Sequence, residues 1–139
     1  MKTRLKHALG LLFVLFCLNL SAQTETGKAS FYHNKFEGNG TSNGEVFRQN
    51  KFTCAHKTLP FGTWLKVTCL KNNNVIYVRV NDRLPKSSTR SIDLSLLGAE
   101  QLNFVRSGLT QVTLETISDR DIPEEFRSPI ELKVKTKKK

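Results

Sequence analysis

Cysteine is scarce in this sequence of 139 residues: there are three, with no CxxC spacing, and the three histidines form no HxxxH pair. The spacings that mark most structural zinc sites are therefore missing, and no metal or other cofactor is expected. Acidic residues are also few, 12 against 22 lysines and arginines, for a net charge of +10. That excess does not mark a nucleic-acid binder. No basic face is interleaved with aromatics, and five of the charges are Lys133, Lys135, Lys137, Lys138 and Lys139 at the very end. Internal repeats are lacking, and the lysine tail is the one low-complexity segment. The one extended apolar run ends at Leu20, is short for a bilayer span and has no stop-transfer flank.

What is present near the start has a familiar layout. In MKTRLKHALGLLFVLFCLNLSAQTE, three basic residues (Lys2, Arg4, Lys6) precede an apolar run, which ends at Leu20 before Ser21 and Ala22. This predicts a secretory signal peptide over residues 1–22, cleaved after Ala22, and a protein exported without a stable membrane anchor. Cys17 offers a rival reading as a lipid attachment site. Phe16 opposes it, since such sites place a small residue just before the cysteine. Removing the three leader cations from +10 leaves +7, and setting aside the five tail lysines leaves +2 on the body of the chain.

Export leaves Cys54 and Cys69 as an even pair in an oxidising compartment. Both fall on apolar faces of candidate strands. A disulfide and two buried free thiols remain equally open, and zinc held by both cysteines with His33 or His56 is a sharper third alternative.

Between residues 27 and 117 short strands alternate with turns. GKASFYH, KFTCAH, TWLKVTCL, VIYVRVND and LTQVTLETI carry β-branched or aromatic residues with partial alternation; GNGTSNGE, LPFG, KNNN and RLPKSS separate them. One short helix is predicted over Ser95 to Asn103, with Ser95 as its cap. Many short strands and one small helix predict a mainly β closed barrel. Within VIYVRVND, alternation puts Ile76, Val78, Val80 and Asp82 on one face. The carboxylate thus extends an apolar face, where it needs either a structural partner or a chemical use.

GKASFYH, TSNGEVF, TCAHKTLPFGTWLKV, VRVNDRLP and RSIDLS, in this order and spacing, resemble the rare lipoprotein A-like double-psi β-barrel proteins of bacterial envelopes. The resemblance covers residues 27–117. Residues 118–139 form a C-terminal extension with the basic tail. It implies a single six-stranded double-psi β-barrel with one or two short helices, located in the bacterial periplasm or cell envelope. The resemblance further implies lytic transglycosylase activity on the glycan strands of peptidoglycan, and a monomer is expected.

Such an enzyme can work with one carboxyl. The C6 hydroxyl of the sugar attacks its own anomeric carbon, leaving a 1,6-anhydromuramic end, and intramolecular geometry replaces an enzyme nucleophile. The carboxyl donates a proton to the glycosidic oxygen and takes one from that hydroxyl, so a pKa raised by burial is expected. Asp82 is the candidate acid/base. The resemblance implies His56 and Glu45 as its supporting pair; Tyr32, by ring stacking, and Asn43 and Arg83, by hydrogen bonds, are lesser candidates for lining a sugar groove. Asp93, just before the helix, reads as structural through bonds to backbone donors. Leu84 stands where the family pattern reads glycine, so the following loop should change path if that position needs a positive φ. His33 and Phe31 also depart from the pattern. A hydrolase using Glu45 and Asp82, and a non-catalytic, expansin-like barrel that binds wall polysaccharide, are the competing readings.

Overall fold

The computed structural model describes residues 22–127. The expected leader up to residue 21, Cys17 included, and the five tail lysines lie outside the described residues. Six strands close into a barrel: β1 (Thr24–Phe31), β2 (Thr53–His56), β3 (Trp64–Cys69), β4 (Val75–Asp82), β5 (Ile92–Leu94) and β6 (Thr110–Ile117). Their spatial order is β1-β5-β2-β4-β3-β6. β1 runs parallel to β5 and β2 parallel to β4, whereas the other neighbours are antiparallel. This is the mixed, closed, six-stranded barrel expected of a double-psi fold, and closure leaves no exposed strand edge.

The strands form where alternation is cleanest. Leu65, Val67 and Cys69 of β3, with Ile76, Val78 and Val80 of β4, point inward and are at most 1% exposed. Each such aliphatic side chain stabilises the fold by about 1.5–3 kcal/mol through burial. The three-asparagine turn between β3 and β4 puts Asn73 at φ 61°, a left-handed conformation that asparagine tolerates better than most residues. The helix α1 (Leu96–Gln101) is capped as expected: the Ser95 hydroxyl accepts from the Gly98 N–H at 3.2 Å. Its Leu97 and Ala99 join the barrel core. Among the described residues no helix is long and apolar enough to cross a membrane.

Several expectations change. RSIDLS contains a strand as well as the helix start, because Ile92–Leu94 pairs with both β1 and β2. Cys54 and Cys69 are buried free thiols. Cys54 on β2 is in register with Val80 and Leu94, Cys69 on β3 is in register with Val112, and β4 runs between the two strands. Burial pushes the Cys54 thiol well above the usual cysteine range. No group of three or more His, Cys, Asp or Glu among the described residues is placed to hold a metal. Leu84 is buried and does not adopt a positive φ, so glycine is not required there.

Candidate active site

A bulge answers why Asp82 follows an apolar face. Cys54 of β2 lies opposite Val80, but the next residue, Ala55, lies opposite Asp82, so Asn81 is one residue too many on β4. The extra residue breaks the two-residue alternation. Asn81 takes the buried position at 2% exposure, and Asp82 turns outward, half-buried. The carboxylate does not extend the core face as its spacing predicts.

Asp82 is fixed by donors from three places. Oδ1 accepts from the Ser42 N–H at 2.9 Å, the Ser42 hydroxyl at 2.6 Å and the Arg83 N–H at 2.9 Å. Oδ2 accepts from the Tyr32 hydroxyl at 2.5 Å. Burial pushes this carboxyl up, but the Ser42 and Tyr32 hydroxyls and the two N–H groups outweigh it and hold Asp82 below the usual aspartate range. The expected upward shift is therefore reversed in the free protein, because hydrogen bonds to the anion win over desolvation. Burial, and after it this contact with Asp82, pushes the Tyr32 phenol far above its ordinary value.

Tyr32 is less a free stacking platform than the sequence predicts. Its ring packs on Phe47 at 4.3 Å between centroids and edge-on to Phe36 at 5.9 Å. Arg83 places its guanidinium 4.0 Å above the ring of Phe61 and donates to the His56 carbonyl at 3.3 Å. Phe36 and Phe61 are thus linked to the Asp82 cluster through Tyr32 and Arg83, and both remain exposed.

Glu45 is an anchored anion. Arg79 donates to it at 2.6 and 2.8 Å, Asn43 at 3.0 Å and Asn81 at 3.2 Å. The Arg79 guanidinium is the main reason that its carboxyl falls from 4.5 to about 2. Asn43 holds the turn together: its Oδ1 accepts from the Thr41 hydroxyl and the Glu45 N–H.

His56 does not orient Asp82 with its ring. Nδ1 accepts from the Thr58 and Leu59 N–H groups at 3.2 and 3.1 Å, so Nε2 carries the proton and faces Glu25 Oε2 at 3.1 Å. The ring is buried on β2 toward β1, beside a cavity of about 310 Å³ that Asp82 does not line. Only its carbonyl reaches the 82–84 segment, accepting from Arg83 and from the Leu84 N–H at 3.4 Å. A larger cavity of about 750 Å³, lined by Leu59, Pro60, Ile117 and neighbours, also lies apart from Asp82.

Asp93 sits on β5 rather than at the helix cap. It accepts from the Ser30 hydroxyl and pairs with Arg90 at 2.9 Å, so its partners are side chains and not the backbone donors expected. Sequence reasoning missed Ser42. Its signal was the TSNG turn, where Gly44 at φ 90° folds the chain back sharply enough to bring Ser42 and Glu45 onto β4.

The family model described as lytic transglycolase matches residues 24–114. The chain belongs to this family. It is 52% identical over 95 residues to the endolytic peptidoglycan transglycosylase RlpA of Campylobacter jejuni, covering 68% of this chain and 34% of that protein. The RlpA of Neisseria meningitidis is 47% identical over 94 residues, covering 68% and 39%. The chain thus spans little more than a third of the length of these relatives. Among solved structures, the Streptomyces papain inhibitor matches with a TM-score of 0.56 at 23% identity, over 69% of this chain and 96% of that one. A Clavibacter michiganensis expansin in complex with cellohexaose matches with a TM-score of 0.56 at 20% identity, over 73% and 54%. At these identities the two structures establish the barrel fold alone. The family match covers all six strands up to Leu114, including Asp82 and the turn that carries Ser42.

Proposed function

We propose that this protein is an exported lytic transglycosylase that cleaves peptidoglycan glycan strands to 1,6-anhydromuramic ends, with Asp82 as the acid/base. The observation that carries the reading is the bulge at Asn81, which turns one carboxyl out of the barrel and holds it in a single pose at an open surface. An open surface suits a polymer, which lies across the barrel and need not enter a cavity. The relatives at 52% and 47% identity carry the name of this activity.

The free Asp82 is ionised, so the acid must be made on binding. Burial already acts on this carboxyl as the largest influence, and upward. A glycan lying over it removes the remaining water and further disfavours the charge, so a proton is taken up with the substrate. Protonated Asp82 then donates to the glycosidic oxygen as the bond to the anomeric carbon breaks. The carboxylate left behind takes the proton of the C6 hydroxyl as its oxygen bonds to that carbon, and no water is consumed. Glu45 stays ionised on Arg79, and Arg83 with Phe61 lines the approach.

The second reading, a non-catalytic barrel that binds wall polysaccharide, draws support from the low resting pKa of Asp82 and from the His56 ring facing away from it. Reducing-end analysis of purified glycan, with and without stem peptides, separates the readings. Anhydro ends establish the lyase, free reducing ends indicate hydrolysis with Glu45 and Asp82, and unchanged strands leave a binding module. Export to the envelope after cleavage near Ala22, as a monomer, belongs to the same proposal. Intact mass of the secreted protein tests it, and retention of an acylated Cys17 would replace it with a lipoprotein.

A further inference from the structure

The Thr41–Glu45 turn touches β4 at three positions, and the three contacts have different characters. Arg79 grips both oxygens of Glu45, with Asn81 and Asn43 adding a donor each. The Asn43 N–H donates to the Asn81 carbonyl at 3.2 Å. Three residues before Glu45, Ser42 is exposed, and both its amide and its hydroxyl donate to one oxygen of Asp82. An exposed serine keeps two bonds on one carboxylate oxygen only if its turn is held against the strand. Within the turn, the Thr41 N–H to Glu45 carbonyl bond at 2.8 Å and the Gly44 N–H to Thr41 carbonyl bond at 3.0 Å make Ser42 and Glu45 parts of one unit.

We propose that Glu45 is a positioning residue, whose ion pair with Arg79 docks this turn on β4 and thereby presents Ser42 to Asp82. The donors already on both Glu45 oxygens leave it a poor base or nucleophile, and its contribution passes through Ser42. The catalytic consequence rests on the reading of Asp82 as the reacting carboxyl. The structural coupling does not.

The coupling has a distinctive sign. Removing the Glu45 charge by substitution frees Arg79 and takes away a nearby anion. Acting through space alone, both changes make the Asp82 anion more favourable and lower its pKa. Undocking the turn withdraws the Ser42 donors and raises it. The other groups around Asp82 stay as they are: Tyr32 after β1, Arg83 beside it, and, farther off, Asp93 on β5 and Cys54 on β2.

The test follows the Asp82 carboxyl carbon by NMR through a pH titration of the whole protein, its resonance identified among the four aspartates by loss in Asp82→Asn. Glu45→Gln, Ser42→Ala and the double variant are compared with the parent. Docking predicts an upward shift in each single variant and a shift in the double variant smaller than their sum. Asn43→Ala, which loosens the turn without altering charge, should also shift upward, and it serves if Glu45→Gln does not fold. A downward or absent shift in Glu45→Gln, or in Asn43→Ala in its place, would overturn the proposal. Anhydro-product formation, followed in parallel, should move its alkaline limb to higher pH in the same variants. If even the parent makes no product, the lyase reading fails while the titration still judges the coupling.

Discussion

Replacing Asp82 by asparagine separates chemistry from architecture. The amide oxygen can stand in place of Oδ1 and accept from Ser42 and the Arg83 N–H, and the amide nitrogen can donate to the Tyr32 oxygen, reversing that bond. What is lost is the charge. A hydrogen bond to a charged group contributes about 1.5–3 kcal/mol and a neutral one about 1, and the half-exposed site lets water soften the difference. The net cost is about 1 kcal/mol, or a melting point lower by about 4–8 °C in a domain of this size. With a total stability of about 5–15 kcal/mol, the variant stays folded at 25 °C. Loss of the transferable proton, by contrast, should slow turnover by about 10²- to 10⁴-fold, equivalent to roughly 2.7–5.4 kcal/mol at the barrier. The assay is the initial rate of anhydromuramic ends by mass spectrometry, beside a thermal melt of the same sample. Asp93→Asn is the control: it weakens a buried contact with Ser30 and Arg90, so it should lower the melting point more and leave the rate per folded molecule unchanged. If folded Asp82→Asn works within about threefold of the parent rate, the reasoning fails and Asp82 is an anchor for Ser42 and Tyr32.

Other outcomes follow from the same contacts. The Glu45 carboxyl falls from 4.5 to about 2, so its folded-state value lies below its unfolded one, and its stabilisation is present above about pH 4.5 and lost as pH falls toward 2. With the side chain 39% exposed, solvent screening reduces this to about 1 kcal/mol, and acid unfolding of Glu45→Gln should be correspondingly flatter across that window. A methyl at Gly27 would lie 1.9 Å from Ser91 Oγ and 2.8 Å from Ser91 Cβ, so Gly27→Ala should cost about 1–3 kcal/mol in chemical denaturation, and Ser91→Gly should restore most of it. Peptide mapping of unreduced, denatured protein should find Cys54 and Cys69 both alkylated; a disulfide-linked pair of peptides would contradict the two free thiols of the structure.

Much of the barrel was legible because its signals are local. Alternation over residues 64–69 and 75–80, the three-asparagine turn and the Ser95 cap each depend on residues close in the chain, and each predicted element stands where expected. The motif order likewise carried the family. β5 escaped notice because three residues are too few for a period to show, and its pairing is set by β1 and β2, far away in sequence. Asp82 is the sharper case. Its neighbours predict an inward carboxyl with a raised pKa, yet the side chain turns outward because β2, more than 25 residues earlier, sets a register that makes Asn81 a bulge. The charge then settles below the usual range because Ser42 and Tyr32, 40 and 50 residues away, supply the hydroxyls. His56 finds Glu25 at a separation of 31 residues in the same way. Periodicity along one strand reports which residues can be buried; which donors meet a given carboxylate depends on how strands are registered against one another, and that is fixed only when the barrel closes.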